Sequence, residues 1–105
     1  MADFMKMMQQ VQQMQSRLQQ IQDELEQKTV SAAAGGGMVT VTADGRGQVR
    51  SIKIEPSVVN PADVEMLEDL VLVAVNEAQK KAAALAQAEA GKLTGGMDLP
   101  FKLPF

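Results

Sequence analysis

The chain has no cysteine, no histidine, no tryptophan and no tyrosine, and its only aromatic residues are three phenylalanines. Each absence closes a class of function. Without cysteine there is neither a disulfide framework nor a thiolate metal site, which suits a reducing cytoplasm. Without histidine as well, most general-base, nucleophile and transition-metal arrangements are unavailable, and no metal or other cofactor is expected. Carboxylates remain, and Glu65, Glu68 and Asp69 cluster. They fall near the start of a predicted helix, where acidic groups offset the positive end of the helix dipole. No enzyme and no small-molecule substrate are expected. The lack of tryptophan and tyrosine removes the stacking platform used by single-strand and RNA binders. No apolar run is long enough to cross a bilayer and no signal peptide is evident, so the expectation is a soluble intracellular protein without a membrane role. Basic charge is also scarce: 10 Lys and Arg face 13 Asp and Glu, for a net charge of −3. Any DNA-binding role must therefore rest on a local cationic surface.

What is present begins with a periodicity. Phe4, Met7, Val11, Met14, Leu18, Ile21 and Leu25 recur at alternating spacings of three and four, the a/d seam of a helix read in heptads. Glutamines crowd the positions between them. From Asp3 to Gln27 such a helix runs roughly 37 Å, longer than the strands of a small sheet. Its last turns can pack within the chain, but Phe4 and Met7 must look for another helix. With 105 residues there is room for one domain and a modest core, so a second copy is expected to complete the burial.

Three strands are predicted after Lys28. The first spans Thr29 to Ala34, with Val30, Ala32 and Ala34 on one face. Gly35-Gly36-Gly37 reverses the chain; the lysine of a phosphate-binding loop does not follow, so the triplet reads as a turn. The second strand, Met38 to Ala43, turns Val39 and Val41 inward and Thr40 and Thr42 outward. Asp44-Gly45-Arg46-Gly47 signals a hairpin, and the third strand, Gln48 to Glu55, is expected to send Ile52 and Ile54 to the core.

Asn60-Pro61-Ala62-Asp63 reads as the start of a second helix, with Asn60 as cap. Val64, Leu67, Leu70, Val71, Ala74, Val75 and Ala78 form an apolar face wide enough to cover the sheet. The alanine-rich run beyond Ala78 has high helix propensity and little to bury, and Gly91 is the expected stop. The fold class is thus α+β, in the order α-β-β-β-α: a three-stranded antiparallel meander covered by two long helices that project beyond it. Residues 1–92 form one domain, and 93–105 a flexible tail. In that tail Met97, Leu99, Phe101, Leu103 and Phe105 alternate, while Pro100 and Pro104 forbid a helix. It is expected to dock on the protein's own dimer groove or on a protein partner.

Several strings carry a resemblance. Gly35-Gly36-Gly37-Met38-Val39-Thr40-Val41-Thr42 followed by Asp44-Gly45 resembles the glycine-rich hairpin of the YbaB/EbfC family of bacterial nucleoid-associated proteins. Ile54-Glu55-Pro56-Ser57 and Glu65-Met66-Leu67-Glu68-Asp69-Leu70-Val71 are similar to that family's strand-to-loop motif and second helix, and the Leu-Pro-Phe ending matches as well. The resemblance implies a small homodimer with helices projecting like tweezers from a β body. It also implies binding to double-stranded DNA with low sequence selectivity, altered DNA conformation, and a place in the nucleoid.

The residues themselves leave two readings open. Lys6, Arg17 and Lys28 are eleven residues apart, nearly in line and about 16 Å from one to the next on a helix. Lys80 and Lys81 stand on the projecting part of the second helix. These five are the candidate phosphate contacts, and few side chains suit base readout. The other reading is a coiled-coil-like protein-interaction module with little direct DNA binding, which the acidic balance favours.

Overall fold

A computed structural model describes residues 2–93, and the expected tail beyond Leu93 lies outside the described residues. The elements are α1 (Ala2–Gln27), β1 (Thr29–Ala34), β2 (Val39–Asp44), β3 (Val49–Ile54), a single 3₁₀ turn at Pro56–Val58, and α2 (Val64–Leu93). Among the described residues no helix is long and apolar enough to cross a membrane.

The three strands form an antiparallel sheet in the order β1-β2-β3. Ala32 faces Val41 and Ala34 faces Val39, so small side chains from β1 sit beside valines from β2 on one face. The connection between these strands carries positive φ at Gly35, Gly36 and Gly37. A bulge interrupts the pairing of β2 and β3. Thr42 faces Ser51 and Ala43 faces Val49, which leaves Arg50 as the extra residue.

α2 lies over β1 and β2. Ala74 and Ala78 seal against Ala32, Val39, Val41 and Ala43 to make the core, with Leu67, Leu70, Val71 and Val75 around it. Alanine on both elements lets helix and sheet approach closely, and the resulting core is small. It is too small to use all the apolar surface available.

β3 shows this directly. Ile52 and Ile54 pair with Val41 and Val39 and so share the core-facing side, as expected. They are nonetheless exposed, at 46% and 39%, and do not enter the core. Width explains the correction: one helix about 10 Å across covers two strands spaced about 4.8 Å apart, and the third is left out.

Three details of α2 also depart from expectation. The helix begins at Val64, and its cap is Asp63, whose Oδ1 accepts from the Met66 N–H at 3.2 Å. Asn60 instead closes the preceding turn, its Oδ1 accepting from the Ala62 N–H at 3.0 Å. At the other end the helix continues through Gly91 to Leu93. The alanine-rich second half is not idle either, since Ala82 and Ala90 are buried.

α1 departs from this body. Only its last turns are covered: Leu25 is buried and Leu18 and Ile21 half-buried, whereas Phe4, Met7, Val11 and Met14 are exposed. The molecule measures 73 × 24 × 17 Å, an arm attached to a small head.

Candidate nucleic-acid interface

The geometry that directs the arm is built at the junction of α1, the β2–β3 hairpin and α2. The final carbonyls of a helix have no partner within it. Here the Gly45 N–H donates to Leu25 O at 2.8 Å and lies 3.0 Å from Lys28 O, so the hairpin caps α1. Only glycine permits this approach. A Cβ at residue 45 would lie 2.8 Å from both Leu25 Cδ2 and Leu25 O.

Asp44, wholly buried, holds the hairpin in shape. Its Oδ1 accepts from the N–H groups of Arg46 (2.9 Å) and Gln48 (3.0 Å), and Arg50 reaches its Oδ2 at 2.8 Å. Burial is the largest influence on this carboxyl and favours its neutral form. The Gln48 and Arg46 N–H groups and the Arg50 guanidinium together outweigh it, holding the pKa below the ordinary 3.8.

On the other side of the junction Glu89 is buried and accepts from Lys28 Nζ at 2.5 Å and from Lys92 Nζ at 3.3 Å. The hydrogen bond from Lys28 is the chief reason its pKa is lowered from 4.5, and the same bond raises that of Lys28 above 10.5. The sign follows from linkage. Carboxyls with lowered pKa stabilise the fold above their unfolded values and lose that contribution as pH falls through the folded ones. Lys28 contributes below 10.5 and loses its contribution as pH rises through its raised value. Thermal melting is therefore expected to be flat through neutral pH and to fall once pH drops below about 4.5, as Glu89 and Asp44 take up protons. A Glu89→Gln variant should show a shallower acid decline, and melts across pH 3–7 check it.

The candidate cations now divide. Lys6 and Arg17 are exposed on the arm, within one continuous helix, and have no ion pair among the described residues. Eleven residues apart, they point within about 20° of each other around the axis. Lys28, one residue past the helix end, is turned to Glu89. Lys80 is highly exposed and 3.5 Å from Glu77, a solvated pair that holds it weakly. Lys81 bends toward the sheet, and its Nζ donates to Ser31 O at 2.8 Å. Arg46 and Arg50 lie within 4.0 Å of Glu26 at the junction.

Asp63, Glu65, Glu68 and Asp69 sit around the start of α2, at the end of the sheet marked by the Gly35–Leu70 approach. The arm leaves from the opposite end, marked by the Lys28–Glu89 pair. α1 itself carries four acidic residues, Asp3, Asp23, Glu24 and Glu26, so the exposed Lys6 and Arg17 form a local cationic row on the arm. The roles of Asp44 and Gly45 in clamping α1, and of Glu89 in holding Lys28, are not visible in the sequence pattern. Glu89 had one usable signal, a lone carboxylate in an alanine-rich stretch. The Asp44-Gly45 pair registered as a turn and hid its second role.

The comparisons with known proteins agree with this architecture. A family model described as the YbaB/EbfC DNA-binding family matches residues 1–97. The chain belongs to that family. A protein of Gemmatimonas aurantiaca named nucleoid-associated protein is 59% identical over 103 residues, covering 98% of this chain and 99% of its own. A protein of the same name from Alkaliphilus metalliredigens is 52% identical over 94 residues, covering 90% and 82%. Among solved structures, the uncharacterized Helicobacter pylori protein HP0035 superposes with a TM-score of 0.79 at 22% identity, over 88% of this chain and 97% of that one. That likeness concerns the fold alone. For this member of the YbaB/EbfC family, the projecting α1 leaves Phe4, Met7, Val11 and Met14 exposed, with Lys6 and Arg17 exposed beside them.

Proposed function

We propose that this protein is a nucleoid-associated protein that acts as a homodimer, grips double-stranded DNA with low sequence specificity and alters its conformation. The observation that carries the reading is the arm. α1 projects from the head with Lys6 and Arg17 unpaired and aligned, at the end of the molecule away from the acidic start of α2. Lys80 is a further exposed cation, on α2, while Lys28 and Lys81 have protein partners of their own. Cations read phosphates, which carry no sequence information, and dimerisation doubles their number.

The dimer is supported by β3. A free strand edge and two exposed isoleucines beside a small core form an apolar surface that a second copy can cover by pairing the same surface with itself. Ile52→Asp together with Ile54→Asp would place charges in that contact. The double variant is expected to sediment as a folded monomer where the unmodified chain sediments as a dimer; a dimer unaffected by both changes would rule out this edge.

Binding is tested by the mobility of a short duplex at two salt concentrations. Retention at low salt and release at higher salt support the electrostatic reading. The exposed seam from Phe4 to Met14 favours the second reading, a protein-interaction module, and failure to retain duplex even at low salt would select it.

A further inference from the structure

The head leaves the outer half of α1 uncovered, and the pattern of that half identifies what fits it. Phe4, Met7, Val11 and Met14 are between 49% and 66% exposed, although they stand at consecutive seam positions. The seam stops being free where the head begins, at the half-buried Leu18. The available strip is therefore four positions long and bounded on its inner side.

We propose that this strip is a self-association element: residues 3–17 of two copies pair antiparallel, Phe4 against Met14 and Met7 against Val11, with Asp3 of each copy opposite Arg17 of the other. Three observations converge on this register. First, it pairs the four exposed seam residues among themselves and calls on none that the head already covers. Second, it brings Met8, itself 48% exposed, against Met8 of the second copy on one flank of the seam. Third, it solves the charges. Asp3 and Arg17 both occupy the seam-flanking position just before an a residue, and neither has an ion pair among the described residues. Reversing one helix sets each opposite the other at both ends of the contact. A parallel pair has no such match, because it places Asp3 and Arg17 opposite Met8 and Gln22. It would also continue the seam into Leu18 and Ile21, which the head partly covers.

The inference goes beyond the dimer described above and uses a different surface. Arms reach away from the head, so two heads joined through their arms stand apart. With two arms in every β3-linked dimer, arm pairing would chain dimers together, and weak single contacts would gain from multivalency. A strip of two heptads is short for a stable isolated coiled coil, so the single contact is modest in affinity. Lys6 lies on the outer face of the pair and stays free for phosphate, whereas Arg17 is shared between Asp3 and DNA.

The cysteine-free chain makes the register directly testable. A disulfide needs Cα atoms within about 7 Å. Met7→Cys and Val11→Cys variants, one carrying a size tag, are coexpressed and exposed to mild oxidation. The antiparallel register predicts a crosslink between the two variants, and little crosslinking of either with itself, since like positions are staggered by about 6 Å along the axis. Asp3→Arg should lower the yield several-fold, and adding Arg17→Asp should restore it. Efficient crosslinking of each variant with itself would overturn the antiparallel register. No crosslink of any kind, in a protein that sediments as a dimer, would overturn arm pairing and leave the β3 dimer standing. A mixed crosslink in a chain that otherwise sediments as a monomer would support the arm and remove the β3 dimer instead.

Discussion

Replacing Gly45 with alanine is expected to destabilise the protein strongly. The new Cβ would sit 2.8 Å from Leu25 Cδ2 and 2.8 Å from the Leu25 carbonyl oxygen. The side chain could rotate, but the carbonyl belongs to the last turn of α1 and cannot move without withdrawing the helix. Relief by withdrawal breaks the Gly45 N–H bond to Leu25 O and exposes Leu25, the large apolar residue of α1 that is fully buried. Overpacking of this kind costs about 2–3 kcal/mol. For a domain of this size that corresponds to a fall in Tm of roughly 10–20 °C. Thermal and urea melts measure it. Gly36→Ala is the control, because nothing lies within 4 Å of a Cβ there and only its positive φ opposes the change. A Gly45→Ala variant as stable as the unmodified chain would mean that the hairpin does not clamp the arm.

The largest functional effect is expected from Lys6→Gln combined with Arg17→Gln. If a dimer contacts about six phosphates, the slope of log K against log salt is about −5. The double variant removes two cations from each subunit, and the slope should fall to about −2. Affinity at low salt should drop by orders of magnitude, while at high salt the two proteins converge. Both side chains are exposed on the arm, so the melting temperature should hardly change. Removing Lys80 and Lys81 together should flatten the slope less. The Lys81 Nζ already bonds to Ser31 O, and Lys80 stands beside Glu77. An unchanged slope in the Lys6 and Arg17 variant would clear the arm of the role.

How far the sequence reaches depends on the range of the interaction involved. The extent of α1, the inward faces of β1 and β2 and the glycine turn were all legible, because each follows from a local period or from backbone sterics. The half-covered seam was legible too, since the helix is plainly longer than the sheet. Exposure of Ile52 and Ile54 was not. Their alternation names the correct face, but burial depends on how many strands α2 can span, which no strand pattern records. Helix capping went astray by three residues because Asn60 and Asp63 are both good caps, and the turn at Pro61 uses the first and leaves the second.

The cations show the same limit more sharply. Lys28 and Lys81 look equivalent to Lys6 in the sequence. In the fold their partners are 61 and 50 residues away, reached by flexible side chains across the junction and onto the sheet. Spacing along one helix places charges in line, but it cannot tell which are already engaged. Glu89 is the converse case, a residue of no local distinction that anchors the end of α1 to α2 because α2, lying over β1, runs back to Lys28 at the start of that strand.

The central claim is that paired copies of this chain grip duplex DNA through phosphate contacts made by projecting arms. Titration of a short fluorescent duplex by anisotropy, repeated from about 50 to 200 mM salt, tests it most directly. Tight binding at the lowest salt that weakens along a log–log slope of about −5, with little change when the duplex sequence is scrambled, is the predicted result. Absence of binding at the lowest salt, or an affinity that does not respond to salt, would contradict it.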